Sequence, residues 1–258
     1  MRISYELNPP KILEYDVFSI EPLKERLERF YSRVVTLKDI AYAIHVTDSV
    51  LGIPRLSSVS IASTIVNEYK HRARCSIRVR DRNMNAIMQL VTDAILAGID
   101  GILVIKGDEP KHKSTDSGLS ASSVVRILNN YGFNKHVKLY LSIGCDASES
   151  ELSRKLSAEP YGLITQSIAS IESLEYIADT VKSNNKHIVP CIMVPSIKNK
   201  ASADTINLNW SNYENNIVEF IKKAHNICGE VMLTSPNSFN EGVETMKMVK
   251  GVKINDKR

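Results

Sequence analysis

Eight short runs of apolar and β-branched residues recur along this chain, at 2–7, 40–46, 75–79, 101–105, 137–143, 162–165, 187–193 and 230–234. The run Gly101-Ile-Leu-Val-Ile105 is hydrophobic throughout and ends abruptly in Lys106, Gly107 and Asp108. Continuous hydrophobicity marks a strand covered on both faces, as in parallel sheets. The segments between the runs carry helical periodicity. Residues 22–31 put Leu23, Leu27 and Phe30 on one face, and 83–97 do the same with Met84, Ile87, Met88, Val91 and Ile95. Residues 120–130, 150–156, 171–182, 212–225 and 240–250 follow that rule. Ser170 and Ser211 are expected to start two of these helices. Such alternation predicts one α/β domain spanning residues 1–258, a (β/α)8 barrel, whose usual size is ~250 residues. The alternative, an open doubly wound sheet, would carry a glycine fingerprint after its first strand, and none is present. Residues 252–258 read as a frayed polar tail.

Composition excludes several classes. The net charge is +4, too small to indicate nucleic acid without a basic cluster. The nearest thing to one, Lys70-His-Arg-Ala-Arg74 with Arg78, Arg80 and Arg82, reads as a solvated helix end leading into a site-lining strand. Cys75, Cys145, Cys191 and Cys228 form no CxxC pair and lack structural-zinc spacing, so neither a disulfide framework nor a metal is expected. The opening residues lack a charged-then-apolar leader, and no apolar run approaches the ~20 residues of a membrane span. The expectation is a cytoplasmic protein with reduced thiols.

In a barrel, chemistry gathers where strands run into the following loops. Those positions hold Glu6, Thr47 with Asp48, Arg78 with Arg80 and Asp81, Lys106-Gly-Asp108, Gly144 with Asp146, Thr165 with Gln166, Pro195-Ser196, and Ser235-Pro-Asn237. Glu6 stands out. A carboxyl inside an apolar strand is costly unless it is paired or has a chemical task, and burial would raise its pKa into the range of a general acid. Its plainer reading is an ion pair with a barrel arginine or lysine. Asp108 closes a strand and is either a site residue or a turn aspartate. Gln166 suits a hydrogen bond to a polar heterocycle, or else caps a loop. In Arg80-Asp-Arg-Asn83, the aspartate is expected to neutralise the flanking arginines and Asn83 to cap a helix. The histidines have no metal-ligand or triad partners, and the cysteines read as core filler.

These positions resemble the methylenetetrahydrofolate reductase family from Ser4 to about Lys250. Ser4-Tyr-Glu-Leu-Asn-Pro-Pro-Lys11 is similar to the family's S-F-E-F-F-P-P-K, and Arg80-Asp-Arg-Asn83 to the R-D-R-N of one branch. Gly98-Ile-Asp-Gly-Ile-Leu-Val-Ile-Lys-Gly-Asp108 resembles G-I-x-x-I-x-A-L-R-G-D. Leu163-Ile-Thr-Gln166 reproduces I-T-Q, and Ile188-Val-Pro-Cys-Ile-Met193 resembles I-I-P-G-I-M. The resemblance implies a flavin-dependent oxidoreductase of one-carbon metabolism and methionine biosynthesis, which converts 5,10-methylenetetrahydrofolate or a modified pterin to the 5-methyl form. It assigns Glu6 as general acid, Asp108 as a residue near both folate and flavin, and Gln166 as a folate contact. Thr47, Lys106, Gly107, Asp108, Ala121 and Lys155 fall at the family's FAD-contacting positions. NAD(P)H or a protein partner would supply electrons, and a homo-oligomer or an electron-transfer subunit is the implied assembly. There are departures. The family's histidine-leucine-threonine on the third strand is Ser76-Ile-Arg78, its arginine before Gly-Asp is Lys106, a flavin-contacting tyrosine is Ser120, the loop 144–148 is shortened, and a substrate arginine is absent near Asn237. The flavin shell is thus less well kept than the folate-side acids. Two further readings stay open: a flavin-poor pterin-binding homologue or complex subunit, and a barrel methyltransferase.

Overall fold

The computed structural model describes residues 1–14, 17–112 and 115–251; the tail expected at 252–258 lies outside them. Eight parallel strands close a barrel: β1 (Ile3–Leu7), β4 (Ile44–Val46), β5 (Ala73–Arg78), β6 (Gly101–Ile105), β7 (Lys138–Ile143), β8 (Gly162–Ser167), β9 (His187–Met193) and β10 (Val231–Thr234). A small antiparallel pair, β2 (Leu13–Glu14) with β3 (Val17–Phe18), follows β1. The barrel closes where β1 pairs with both β10 and β4. Every expected strand is present, within a few residues of its expected bounds.

The helices are α1 (Ile20–Leu37), α2 (Ser58–Asn67), α3 (Met84–Leu96), α4 (Ala121–Asn130), α5 (Glu149–Leu156), α6 (Ile171–Ser183), α7 (Lys200–Thr205), α8 (Ile217–Cys228) and α9 (Phe239–Lys250). Local chemistry starts several of them. Asn83 accepts from Ala86 N–H, Ser170 from Ser173 N–H, and Ser120 forms a reciprocal capping box with Ser123. α5 carries Glu149 and Glu151 in its first turn and Arg154 and Lys155 in its last, matching the helix dipole. Two expectations differ. The helix sought from residue 212 begins at Ile217, with Asn216 as its N-cap in place of Ser211; residues 211–215 form turns instead. Helices α2 and α7 are not among the expected periodic segments, although the Lys70 cluster reads as a helix end; in α2 the Ser-Val-Ser-Ile-Ala-Ser-Thr-Ile sequence is rich in weak helix formers. Burial of Val59, Ile61, Ala62 and Ile65 supplies what propensity lacks.

The main core lies between barrel and helices, where Ile77, Ile102, Leu139 and Leu163 from the strands meet Ile65, Ile87, Leu128 and Ile177 from the helices. Each such side chain contributes about 1.5–3 kcal/mol when fully buried. A second, smaller apolar cluster fills the barrel itself: Leu103, Tyr140, Ile164, Val189, Cys191 and Met232. It separates two polar ends, the floor at the strand N-termini and the mouth at their C-termini.

Candidate active site

The mouth is set by strand register. Glu6 lies opposite Thr234 on one side and His45 on the other, so the three share the inward face. Thr234 Oγ1 donates to Glu6 Oε1 at 2.7 Å. Among the described residues Glu6 has no ion-pair partner, so the barrel salt bridge that would have explained it is not formed. Desolvation pushes its pKa up, and the Thr234 bond offsets this in part. Beside Glu6 in register, His45 Nε2 lies 2.9 Å from Ser76 Oγ, and its Nδ1 is buried without a partner among the described residues. Burial, aided by Arg74, pulls its pKa down to about 3, so it stays neutral.

Arg78 ties the mouth loops together. Its side chain is almost wholly buried, with Nε donating to Asp81 Oδ1 at 3.0 Å and the guanidinium also to the carbonyls of Ser49 and Asp108. Its own backbone N–H donates to Asp48, which also pairs with Arg82. The arginines flanking Asp81 therefore go elsewhere than expected, Arg82 to Asp48 and Arg80 to Asp116, while Asp81 serves Arg78. Arg78 is one of the charged residues expected at the mouth, but its ties to Asp48, Ser49 and Asp108 come from segments remote along the chain.

Asp108 is exposed at the mouth, and its carboxylate accepts from Leu51 N–H at 2.6 Å. Leu51 and Ser49 both hold left-handed backbone, a conformation costly for residues bearing a Cβ. Gly107 has φ +83°, and a Cβ there would sit 2.9 Å from the Arg78 Cβ. Its freedom thus serves the turn and the close approach of Arg78. Lys106 pairs with Asp116 at 2.5 Å and donates to Leu119 O. Thr47 donates to Asn8 at 2.7 Å. Gln166 stands exposed at the end of β8, with no side-chain hydrogen bond among the described residues. Glu6, Thr47, Asp108 and Gln166 all lie at the same end of the barrel.

Ala121 opens α4, whose capping box satisfies Ser120 and Ser123 N–H. The N–H groups of Ala121 and Ser122 stay free of internal acceptors among the described residues. Lys155 is half-buried on α5 with no ion-pair partner among the described residues, and desolvation lowers its pKa. N–H groups at a helix start and a half-buried lysine are each of the kind that can hold the phosphate end of a flavin nucleotide. Thr47, Lys106 and Asp108, further positions that the resemblance assigns to flavin, are engaged with protein partners. Among the described residues no cluster of His, Cys, Asp or Glu is arranged to hold a metal ion, and no helix is long and apolar enough to cross a membrane.

Comparison with known proteins agrees with this architecture. The family model described as methylenetetrahydrofolate reductase matches residues 1–227. None of the curated proteins matches the chain. Similar solved structures include QR15, an aldolase, with a TM-score of 0.56 at 10% identity over 96% of this chain and 94% of that one. Another is a mutant tryptophan synthase from M. tuberculosis in its ligand-free form, with a TM-score of 0.55 at 11% identity, covering 97% of this chain and 90% of that one. At such identities the likeness is one of fold alone.

Proposed function

The chain belongs to the methylenetetrahydrofolate reductase family, an oxidoreductase family of folate one-carbon chemistry, and from that premise we propose that it reduces a 5,10-methylene-tetrahydropterin to the 5-methyl form. The observation that carries the reading is Glu6, a carboxyl at the barrel mouth with no counter-cation among the described residues, bonded to Thr234 and biased toward its protonated form by burial. Opening the methylene bridge breaks a carbon–nitrogen bond and leaves a nitrogen that takes up a proton. In this reading Glu6 donates it, which is supported by its protonation bias, and His45 is not a competitor because burial keeps it neutral. Gln166, with a free amide at the same mouth, orients the pterin ring. Asp108, held by Leu51 N–H, lines the mouth beside it. FAD is the proposed cofactor and would supply the hydride when bound. Ala121 and Lys155 would hold its phosphates, with Thr47, Lys106, Gly107 and Asp108 beside its ring. NAD(P)H or a partner protein is the proposed electron source, and the cytoplasm the proposed compartment.

A second reading has a specific observation in its favour. Thr47, Lys106 and Asp108 are all engaged internally, and Arg78 stands where the family carries a threonine. That arrangement favours a pterin-binding homologue or complex subunit that holds flavin weakly. One experiment separates the two. The purified protein is titrated with FAD and incubated with methylenetetrahydrofolate and a reductant, and 5-methyltetrahydrofolate is quantified. Saturable FAD binding with methyl product supports the reductase. Pterin binding with neither flavin nor product supports the second reading.

A further inference from the structure

The floor of the barrel, opposite the candidate active site, holds a cavity of about 50 Å³. A single water needs ~10–15 Å³, so the space is several times that size. Arg2, Arg74, Lys138, Tyr140, His187 and Glu230 are among the residues lining it. Arg74 is committed, forking onto Glu230 at 2.6 and 3.0 Å and reaching Asp100 at 3.2 Å. Lys138 shares Asp100 at 2.9 Å. Arg2 has no carboxylate partner among the described residues; its Nε donates to Gly229 O, its guanidinium lies 5.9 Å from the Tyr42 ring centroid, and its terminal nitrogens have no hydrogen-bond acceptor among the described residues. Arg2, Arg74 and Lys138 thus outnumber the two carboxylates, Glu230 and Asp100, and the Tyr140 hydroxyl can add a further donor.

Tyr140 is the second, independent observation. It is 2% exposed, and its hydroxyl forms no hydrogen bond with any described residue. The ring is enclosed, while the hydroxyl is open to the cavity and remains a donor for whatever fills that space. Tyr140 lies in the wall of the cavity, beneath the Arg74 guanidinium, which stacks 5.4 Å from the ring centroid. The Tyr161 and His187 rings stack at 4.4 Å and form a further part of the wall.

We propose that this floor cavity is a binding site for a small oxyanion, a phosphate or a carboxylate, held by Arg2, Lys138 and the Tyr140 hydroxyl. The site is independent of the reaction proposed at the mouth. Its occupancy would stiffen the start of strands β1, β5, β7 and β9, stabilising the barrel by mass action.

The test is a titration of inorganic phosphate, with acetate as a parallel arm, at ionic strength held constant with chloride. Binding is read by the thermal midpoint and by calorimetry. The midpoint is expected to rise saturably with one of the two anions, and the responding arm identifies the ligand class. Tyr140→Phe, which removes a hydroxyl without a partner among the described residues, and Arg2→Gln should each weaken binding at least tenfold, while Lys222→Met, at an exposed lysine on α8, leaves it unchanged. A midpoint that follows ionic strength alone, or an affinity equal in wild type, Tyr140→Phe and Arg2→Gln, would show that the cavity holds only water. Loss of binding in Lys155→Met alone would place the anion at the mouth and equally overturn the proposal.

Discussion

Glu6 and Thr234 face each other in register across β1 and β10, and the threonine hydroxyl donates to the carboxyl at 2.7 Å. A donor to a carboxyl favours its ionised form, whereas burial favours the neutral form. Thr234→Val removes the first influence and leaves the second. The pKa of Glu6 should then rise further. In a pH–rate profile, the limb that reports loss of the protonated acid should move to higher pH. An unmoved limb would mean that Glu6 does not govern it.

The same carboxyl ties stability to pH. Its folded pKa is raised above its ordinary value near 4.5, so the folded state holds the proton more tightly than the unfolded chain. The contribution to stability is full below the unfolded pKa and is lost as pH rises through the folded one. Glu6→Gln should therefore raise the melting temperature at pH 8 and have little effect below pH 4. A gain equal at both pH values would assign the effect to packing instead.

Two glycines should respond differently to alanine. Gly52 and Gly118 both have positive φ, but a Cβ at Gly52 would lie 1.8 Å from the Glu109 carbonyl oxygen, while at Gly118 it meets open space. Gly118→Ala should cost only the left-handed penalty of roughly 1–2 kcal/mol. Gly52→Ala adds a backbone collision that separates the loop after β4 from the Asp108 loop. Denaturant unfolding should rank Gly52→Ala as the more damaging, and equal losses would contradict this packing.

At the floor, Arg74 and Glu230 form a two-point pair with side chains 4% and 12% exposed. Glu230→Gln leaves the arginine buried with only Asp100 as counter-charge. Breaking such a pair costs about 3–5 kcal/mol, and Asp100 should hold the loss near the lower figure. Denaturant unfolding measures it. A loss below about 1 kcal/mol would be what a surface pair gives.

Much of this architecture is legible along the chain because the signals are local. Each strand is a short apolar run, and each of Asn83, Ser120 and Ser170 starts a helix through a residue three positions on. Glu6 is visible as a candidate because an acid inside an apolar run is conspicuous. What escapes is carried by contacts between remote residues. Helix α2 is made stable by the barrel it covers. Arg78 gains its place from Asp48, Ser49 and Asp108, and Arg74 meets Glu230 from 156 positions away. Likewise, the alignment of Lys106 with a flavin-contacting position does not reveal that Asp116, ten residues on, is its partner.

The central claim is that Glu6 donates the proton that opens the methylene bridge. Stopped-flow absorbance of the flavin separates its reduction by the electron donor from its reoxidation by methylenetetrahydrofolate. Glu6→Gln should slow the folate half-reaction by about 10²–10⁴-fold, the usual contribution of general acid catalysis, and leave reduction by the donor nearly intact. Equal losses in both half-reactions, or an undiminished folate half-reaction, would contradict the assignment.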